Sequence, residues 1–256
     1  MSVYTTEIAS DKILSDNVIH QRLLSAYHFA KPFIKGDLLE LGCGEGRGVE
    51  LLAPLADSYI GIDKIKPVVD GLGEKYPDYS FMSGVFPPFP FEDNSFDTIV
   101  TFQVIEHVKP DEKFIEEIHR VLRPGGQALI TTPNIKMTLS RNPWHIREYT
   151  GDELTGVCRK YFESVEMKGI AGDEKVMEYH EQNRASVNRI MRFDILDLQH
   201  RLPASLLRIP YDILNRLNRN KLNETGDELV KSISVNNFKL QDQNEHNLDL
   251  FCLLKK

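Results

Sequence analysis

The stretch that decides the fold is LLELGCGEGRG, residues 38–48, in which an apolar run ends in four glycines at alternate positions. The run from Asp37 to Leu41 has the composition of a short buried strand, and the apolar spacing from Glu45 onward predicts a helix. Glycines between a strand and a helix let a ligand approach the main chain, and the free N–H groups of a helix start favour an anion. The stretch therefore predicts a nucleotide cofactor at this loop.

The glycine spacing excludes a dinucleotide fingerprint, which needs Gly-x-Gly-x-x-Gly. In the two registers of the loop, Arg47 and Val49 stand where the third glycine is needed. Glu40 precedes the loop, where a carboxylate repels a pyrophosphate and attracts a cation. Asp63 ends the next apolar run, at the place where an acid accepts the hydroxyls of an adenosine ribose. These residues favour a cofactor that carries an ammonium and a sulfonium group.

Three further segments follow in order: FPFEDNSFD at 89–97, VIEHV at 104–108 and LRPGG at 122–126. Together with the glycine loop, they resemble the class I S-adenosylmethionine (SAM) dependent methyltransferases over about residues 36–170. The resemblance implies an α/β, Rossmann-like fold with a doubly wound seven-stranded sheet. It also implies SAM as the cofactor. The implied contacts with SAM are Glu40, Gly42, Cys43, Gly44, Gly46, Asp63 and Gln103. The acid that often binds the adenine in this family would fall near Val85, so the backbone of Val85 and Phe86 is expected to take its place.

The chain is expected to divide into four segments. These are an N-terminal helical segment (1–35), the SAM-binding core (36–170), a helical insertion or cap (171–235) and a C-terminal strand that completes the core (236–256). The seven strands are expected at 37–41, 58–64, 79–85, 98–102, 128–132, 162–169 and 249–254. Helices are expected at 17–34, from 45, at 66–75, at 110–122 and from 150, where Thr150 and Glu153 have capping-box spacing.

The insertion before the last strand carries a local excess of positive charge. Residues 184–221 contain eight basic side chains and three acidic ones, a net charge of +5. An apolar stripe crosses an expected helix break at Pro210, and its members are Leu206, Leu207, Ile209, Ile213, Leu214 and Leu217. This stripe either packs on the domain as a cap or touches a membrane surface or lipid tail. We expect the segment to form a lid over the acceptor pocket.

Methyl transfer from a sulfonium is an in-line displacement, so the protein must hold a nucleophile close to the methyl group in a dry pocket. Both ligands meet beyond the carboxyl ends of the parallel strands. The residues that follow the fourth and fifth strands are therefore the candidates on the acceptor side. They are Gln103, Glu106, His107, Asn134 and His145.

Glu106 and His107, together with the distant His145, also resemble the ligand set of the metal-assisted methyltransferases. These are the ubiquinone-biosynthesis O-methyltransferases and the small-RNA 2′-O-methyltransferases. Gln103 stands where that pattern has its first acid, which weakens a site for a hard cation. Three interpretations follow. The three residues bind a divalent metal, His145 acts without metal as a general base or substrate-orienting residue, or the histidine pair is structural.

The net charge of −7 argues against a large nucleic-acid surface. Three scattered cysteines, the absence of a signal-peptide pattern and the absence of a long apolar run favour a cytoplasmic protein without a transmembrane segment. We expect O-methylation of a small-molecule acceptor, either a sugar or glycan hydroxyl or a quinone- or phenol-type compound. The alternatives are a methyltransferase acting on RNA or another macromolecule, or a protein that binds SAM without turnover.

Overall fold

A computed structural model describes residues 14–194, 197–225 and 227–256, so the first thirteen residues of the expected N-terminal segment lie outside it. The strands are β1 (Asp37–Leu41), β2 (Ser58–Asp63), β3 (Ser80–Ser83), β4 (Phe96–Phe102), β5 (Leu122–Pro133), β6 (Ser164–Gly172), β7 (Phe238–Asp242) and β8 (Asp249–Lys255). The helices are α1 (Asn17–Ala30), α2 (Val49–Leu52), α3 (Lys66–Lys75), α4 (Asp111–Val121), α5 (Gly151–Cys158), α6 (Glu174–Met191), α7 (Leu198–Arg201), α8 (Ala204–Thr225) and α9 (Asp227–Ser232). Short 3₁₀ turns join several of them.

The strands form one sheet in the order β3-β2-β1-β4-β5-β8-β6-β7. Strands β1 to β5 pair in parallel, and β8 lies antiparallel between β5 and β6. The chain reverses its direction across the sheet between β3 and β4, so β1 and β4 lie side by side. A crevice at the carboxyl ends of these two strands is where α/β sheets bind ligands. The expected doubly wound α/β fold is confirmed.

The described sheet has eight strands rather than the expected seven. The additional strand, β7, pairs antiparallel with β6 at the edge of the sheet. Its sequence, FKLQD, is too polar to be recognised as a strand, since an edge strand buries few side chains, and here Phe238 is the buried one. The helical insertion consequently lies between β6 and β7, not directly before the last strand.

Apolar side chains cover both faces of the sheet. Neighbouring residues of a strand point to opposite faces, so Leu38 and Val100 pack with α1 on one side, while Leu39 and Ile99 pack with α4 and α5 on the other. Near-continuous apolar strands are typical of a parallel sheet that is covered on both faces. The core therefore holds the strand ends, and with them the cofactor crevice, in a fixed position.

Several expected helices are confirmed with small shifts in their bounds. Thr150 and Glu153 form the expected capping box at the start of α5. The second helix begins at Val49 rather than Glu45, because Gly44 and Gly46 have positive φ angles that an α-helix cannot include. The expected break at Pro210 is wrong, since α8 continues through that residue.

The apolar stripe of the insertion does not pack on the domain as a whole. Leu207 is partly buried, whereas Leu206, Leu214 and the others are exposed to solvent. The packing interpretation is therefore wrong for most of the stripe. Among the described helices, none is long and apolar enough to cross a membrane.

Candidate active site

The glycine loop joins β1 to α2 and lies against the end of β2. The backbone N–H groups of Gly42 and Cys43 donate to the carbonyl of Ile62 at 2.8 and 3.2 Å. Gly42, Gly44 and Gly46 have φ angles of +75°, +51° and +79°, which favour glycine. The sequence pattern thus produces a tight loop whose backbone comes close to whatever lies beyond the strand ends.

The three glycines are required for different reasons. A Cβ atom would overlap Val104 at Gly42 and Leu72 at Gly46, so these two glycines allow close packing inside the protein. At Gly44 a Cβ atom would meet no atom within 4 Å. Gly44 lines a cavity at this point, whereas Gly46 does not. Of the two glycines Gly44 and Gly46, Gly44 is therefore the one whose backbone is open to a ligand.

The cavity measures about 460 Å³. Its walls come from α1, the glycine loop, the end of β2, the segment after β3 and the segment after β4. Its volume lies within the roughly 300–1,000 Å³ that is typical of small-molecule sites. Of the predicted contacts with SAM, those that line it are Gly42, Cys43, Gly44, Asp63, Val85, Phe86 and Gln103.

Asp63 occupies the end of β2 and is almost buried. One carboxylate oxygen accepts from the N–H of Gly44 and the other from the N–H of Ile65, each at 3.0 Å. A carboxylate offers about four lone-pair sites, so two remain for hydroxyl donors in the cavity. Both the position and the acceptor capacity of Asp63 suit the expected contact with a ribose diol.

Glu40 lies behind the cavity and is not among its lining residues. Its two carboxylate oxygens accept from the hydroxyls of Tyr27 (2.8 Å) and Tyr59 (2.6 Å). Burial raises the pKa of Glu40 to about 7. Tyr27 does line the cavity, so it separates the buried acid from the space where a cofactor would lie. The expected direct contact between Glu40 and the cofactor stays a prediction.

The segment after β3 forms the opposite wall. Val85 is 85% exposed although it lines the cavity, and Phe86 stacks against Phe114 with ring centroids 6.0 Å apart. The N–H of Gly84 donates to the carbonyl of Asp63, which holds the segment beside β2. An aromatic wall next to an acid that can bind ribose suits an adenine base.

The acceptor-side candidates come together after β4. The ring centroids of His107 and His145 are 5.0 Å apart, and ligand atoms of Glu106, His107 and His145 lie within 4.8 Å of one another. The three residues meet because the backbone N–H of Ile146 donates to the carbonyl of Glu106 at 2.7 Å. His107 and Ile146 line the cavity, whereas Glu106 and His145 are not among its lining residues.

Both ring nitrogens of His145 have protein partners. Nδ1 lies 2.6 Å from Glu148 Oε1, and Nε2 lies 2.8 Å from the side-chain amide nitrogen of Asn142. A carboxylate only accepts, so Nδ1 carries the proton and Nε2 accepts from the amide. For His107, Nδ1 lies 2.9 Å from the carbonyl of Trp144, which likewise puts a proton on Nδ1 and a lone pair on Nε2.

Glu106 is buried and only partly satisfied. Its Oε2 accepts from the hydroxyl of Thr132 at 3.0 Å, while Oε1 has no hydrogen-bond partner in the described structure. Burial raises the pKa of Glu106 to about 7. A buried carboxylate oxygen without a partner costs free energy, so a donor or cation that reached Oε1 would be stabilised there.

Gln103 takes an unusual conformation at the end of β4, with a φ angle of +58°. Its side-chain amide nitrogen lies 3.2 Å from Asp249 Oδ1, and Asp249 is buried and paired with Arg22. Gln103 therefore connects the cavity to a buried ion pair. Asn134, the remaining candidate, caps a 3₁₀ turn and donates to the carbonyl of Asn247.

The sequence did not indicate three residues that the structure places in or behind the site. Arg47 and Tyr27 line the cavity, and Glu148 binds His145. Arg47 belongs to the glycine stretch itself and could have been recognised as a cation next to a cofactor loop. The spacing His-x-x-Glu could have indicated Glu148. Tyr27 lies in a helix that precedes β1, so nothing local indicated it.

Comparison with known proteins agrees with this geometry. A family model described as a methyltransferase domain matches residues 39–130. A probable S-adenosylmethionine-dependent methyltransferase of Mycolicibacterium smegmatis is 36% identical over 169 residues, covering 64% of this chain and 63% of the relative. Residues 39–130 thus match a methyltransferase domain, and the chain is similar to the class I SAM-dependent methyltransferases. The mitochondrial ubiquinone biosynthesis O-methyltransferase of Mus musculus, another relative, is 28% identical over 186 residues. That match covers 69% of this chain and 48% of the relative.

A solved structure from Thermotoga maritima, a SAM-dependent methyltransferase described as a possible histamine N-methyltransferase, superimposes with a TM-score of 0.59. The match covers 93% of this chain and 91% of that protein, at 16% identity, and supports the fold. The chain spans 63% and 48% of the lengths of the two relatives from M. smegmatis and mouse. The family implies SAM as the cofactor.

Proposed function

We propose that the chain transfers the methyl group of SAM to a hydroxyl of a small molecule. The observation that carries this proposal is that one cavity is lined both by the cofactor residues Gly44 and Asp63 and by His107. A cavity shared by cofactor and proton acceptor suits in-line transfer to a hydroxyl, because the nucleophile has to lose its proton as it attacks.

In the proposed complex, Asp63 accepts the ribose hydroxyls and Val85 and Phe86 flank the adenine. The methionine end lies against the backbone of Gly42 to Gly44. Arg47 lines the same part of the cavity and has the charge and planar geometry to bind the methionine carboxylate. The buried Glu40 supplies negative charge behind Tyr27, which favours a bound cation.

We assign proton handling to the two histidines. His107 lines the cavity, and its ring proton lies on Nδ1 towards the carbonyl of Trp144, so Nε2 is the basic nitrogen of this ring. His145 lies beside it and donates Nδ1–H to Glu148, which fixes the orientation of the His145 ring. His107 is therefore the first acceptor at the cavity wall, and His145 supports it from behind.

A divalent metal is a second candidate at this point, favoured by the oxygen of Glu106 that has no partner. Glu106, His107 and His145 would hold it. Both histidines donate Nδ1–H to an oxygen, the arrangement that orients metal-binding histidines. A bound ion would lower the pKa of a coordinated hydroxyl. In that case Asn142 would give up its contact with Nε2 of His145.

The acceptor we propose is a sugar or glycan hydroxyl or a phenol of the quinone type. The mouse relative's name, a ubiquinone biosynthesis O-methyltransferase, supports a hydroxyl acceptor. The net charge of −7 makes RNA the weaker alternative. A SAM-binding protein without turnover remains the alternative from another functional class, and the transfer experiment below separates it from an enzyme.

We also propose that the insertion covers the acceptor side. Trp144 Nε1 donates to Asp212 of α8 at 3.1 Å, and the guanidinium of Arg208 stacks on the Trp144 ring at 4.2 Å from its centroid. Trp144 directly precedes His145, so α8 holds the loop that carries the histidine. Truncation of the insertion should abolish turnover while SAM binding is retained, as measured by calorimetry.

The proposed function is tested by transfer of a labelled methyl group. Purified protein is incubated with CD3-labelled SAM and with sugar, phenol and RNA acceptors, and products that carry the label are identified by mass spectrometry. His107→Gln and His145→Gln should lower turnover by about 10²-fold or more, the usual contribution of a general base. The exposed His246 provides the control, His246→Gln. SAM binding without a labelled product would contradict the enzyme assignment, and labelled RNA alone would contradict the small-molecule acceptor.

A further inference from the structure

Helix α8 presents an apolar surface to solvent. Leu206, Ile209, Ile213 and Leu217 recur at intervals of three and four residues, so they lie on one face of the helix. These four side chains, called here the α8 apolar face, are 63%, 72%, 55% and 60% exposed. The opposite side of the helix is the one that packs inward, with Asn218 buried. The α8 apolar face is therefore the side of the helix that the described protein leaves uncovered.

The rotation of α8 is fixed by ionic contacts to the body of the protein. Arg216 and Arg219 bind the fully buried Asp16 at 3.0 and 3.1 Å. One turn before Arg216, Asp212 accepts from Trp144. Because these contacts hold α8, the helix cannot turn its apolar face inward without breaking a buried ion pair, which is costly. The outward direction of the apolar face is thus built into the fold.

The segment that contains α8 carries a positive charge. In the described part of 184–221, the exposed basic side chains are Arg189, Arg192, Arg201, Arg208 and Lys221, against one exposed acid, Asp197. The rest of the chain is strongly acidic, since the whole carries −7 and this segment +5. A local positive field on an acidic protein attracts an anionic surface.

A second cavity of about 380 Å³ is lined by other residues of α8. It lies between α6, α7 and α8 and shares Leu207 and Leu214 with α8. Phe193, 85% exposed, stands at the same cavity. A helix with an exposed apolar face in a basic segment has the composition of a helix that lies in a membrane interface.

We propose that the α8 apolar face docks this protein onto a bilayer that contains anionic lipids. Eleven residues separate Leu206 from Leu217, so the face is about 16 Å long at 1.5 Å per residue and lies along one helix. A stable protein partner usually needs roughly 20–30 residues on each side, far more than four side chains. A bilayer needs no such footprint, because apolar insertion and attraction to anionic headgroups act together. This inference goes beyond the proposed methyl transfer and does not depend on it.

The test is flotation of the whole chain with lipid vesicles. Vesicles of phosphatidylcholine alone are compared with vesicles that also contain about 30% phosphatidylglycerol, an anionic surface of the kind that attracts basic segments. Ile213→Asp should weaken binding to anionic vesicles at least tenfold. Leu55→Asp makes the same chemical change at a residue that is 48% exposed elsewhere on the protein, and should leave binding unchanged. Raising the salt concentration should also weaken binding.

Four outcomes would overturn the proposal. They are no binding to either vesicle, equal binding to neutral and anionic vesicles, equal binding by the two variants, and dissociation of a dimer by Ile213→Asp in sedimentation experiments. The last outcome would assign the face to a second copy of the chain. A fall in melting temperature for Ile213→Asp but not Leu55→Asp, without vesicle binding by the native protein, would assign it to residues 1–13 of the same chain. A loss of methyl transfer with intact vesicle binding would leave this inference standing.

Discussion

Substitution of Gly44 by alanine separates the strain of the glycine loop from its contact with the cofactor. Gly44 has a φ angle of +51°, and a Cβ atom there would meet no protein atom within 4 Å. The strain of a left-handed residue costs about 1–2 kcal/mol of folding free energy. The new methyl group would stand in the cavity, where the methionine end of SAM is proposed to lie. Loss of one hydrogen bond to a charged group costs about 1.5–3 kcal/mol, so the affinity for SAM should fall roughly 10- to 150-fold.

Gly125 supplies a matched control for this substitution. It has a φ angle of +80°, and a Cβ atom there would also meet nothing within 4 Å. It lies near the amino end of the part of β5 that pairs with β4, opposite the cofactor edge of the sheet. Both alanine variants should melt a few degrees lower, about 2–4 °C for each kcal/mol. Calorimetric titration with SAM should show a loss of affinity only for Gly44→Ala. Equal affinities of the two variants would refute the placement of SAM at Gly44.

Four further predictions concern acidic residues. Asp63→Asn should lower the affinity for SAM at least about tenfold through a weaker ribose contact, whereas the exposed control Asp70→Asn should not, as measured by calorimetry. Burial raises the pKa of Glu40 from 4.5 to about 7, so the stability that its protonated form contributes is present below pH 4.5 and is lost as the pH rises to about 7. Glu40→Gln should remove this loss, which is roughly 3 kcal/mol of the free energy of unfolding. The melting temperature of the variant should therefore exceed that of the native protein by more at pH 8 than at pH 4. Glu148→Gln should lower turnover about tenfold with unchanged SAM affinity, and an unaltered rate would remove Glu148 from the site. If a metal is needed, chelator should abolish turnover and magnesium or zinc should restore it, and Glu106→Gln should prevent the recovery.

Sequence patterns were sufficient for the parts of the fold that repeat local rules. The glycine loop, Asp63 at the end of β2 and the histidines after β4 and β5 all follow apolar strands, so their meeting at one sheet edge could be predicted from strand order. The capping box at Thr150 is a local interaction, and it too was predicted correctly. These features need no knowledge of distant contacts.

Features that depend on tertiary contacts could not be predicted in the same way. Strand β7 is polar and pairs only at the sheet edge, and Tyr27 reaches the cavity from a helix that precedes β1. The stripe of α8 has the spacing of a packing face, but the contacts of Asp16 with Arg216 and Arg219 turn most of it outward. Residues on one helix face can be identified from spacing, whereas the side that the protein covers is decided by partners far away in the chain.

Hydrogen–deuterium exchange with and without S-adenosylhomocysteine, the demethylated product of SAM, tests the central claim most directly. The measurement reports where on the chain the cofactor binds, without any knowledge of the acceptor. We expect slower exchange in peptides that contain Gly42 to Arg47, Asp63 to Ile65, and Val85 with Phe86, because these segments line the proposed cofactor half of the cavity. Unchanged exchange in all three segments, or protection confined to α8, would contradict the account.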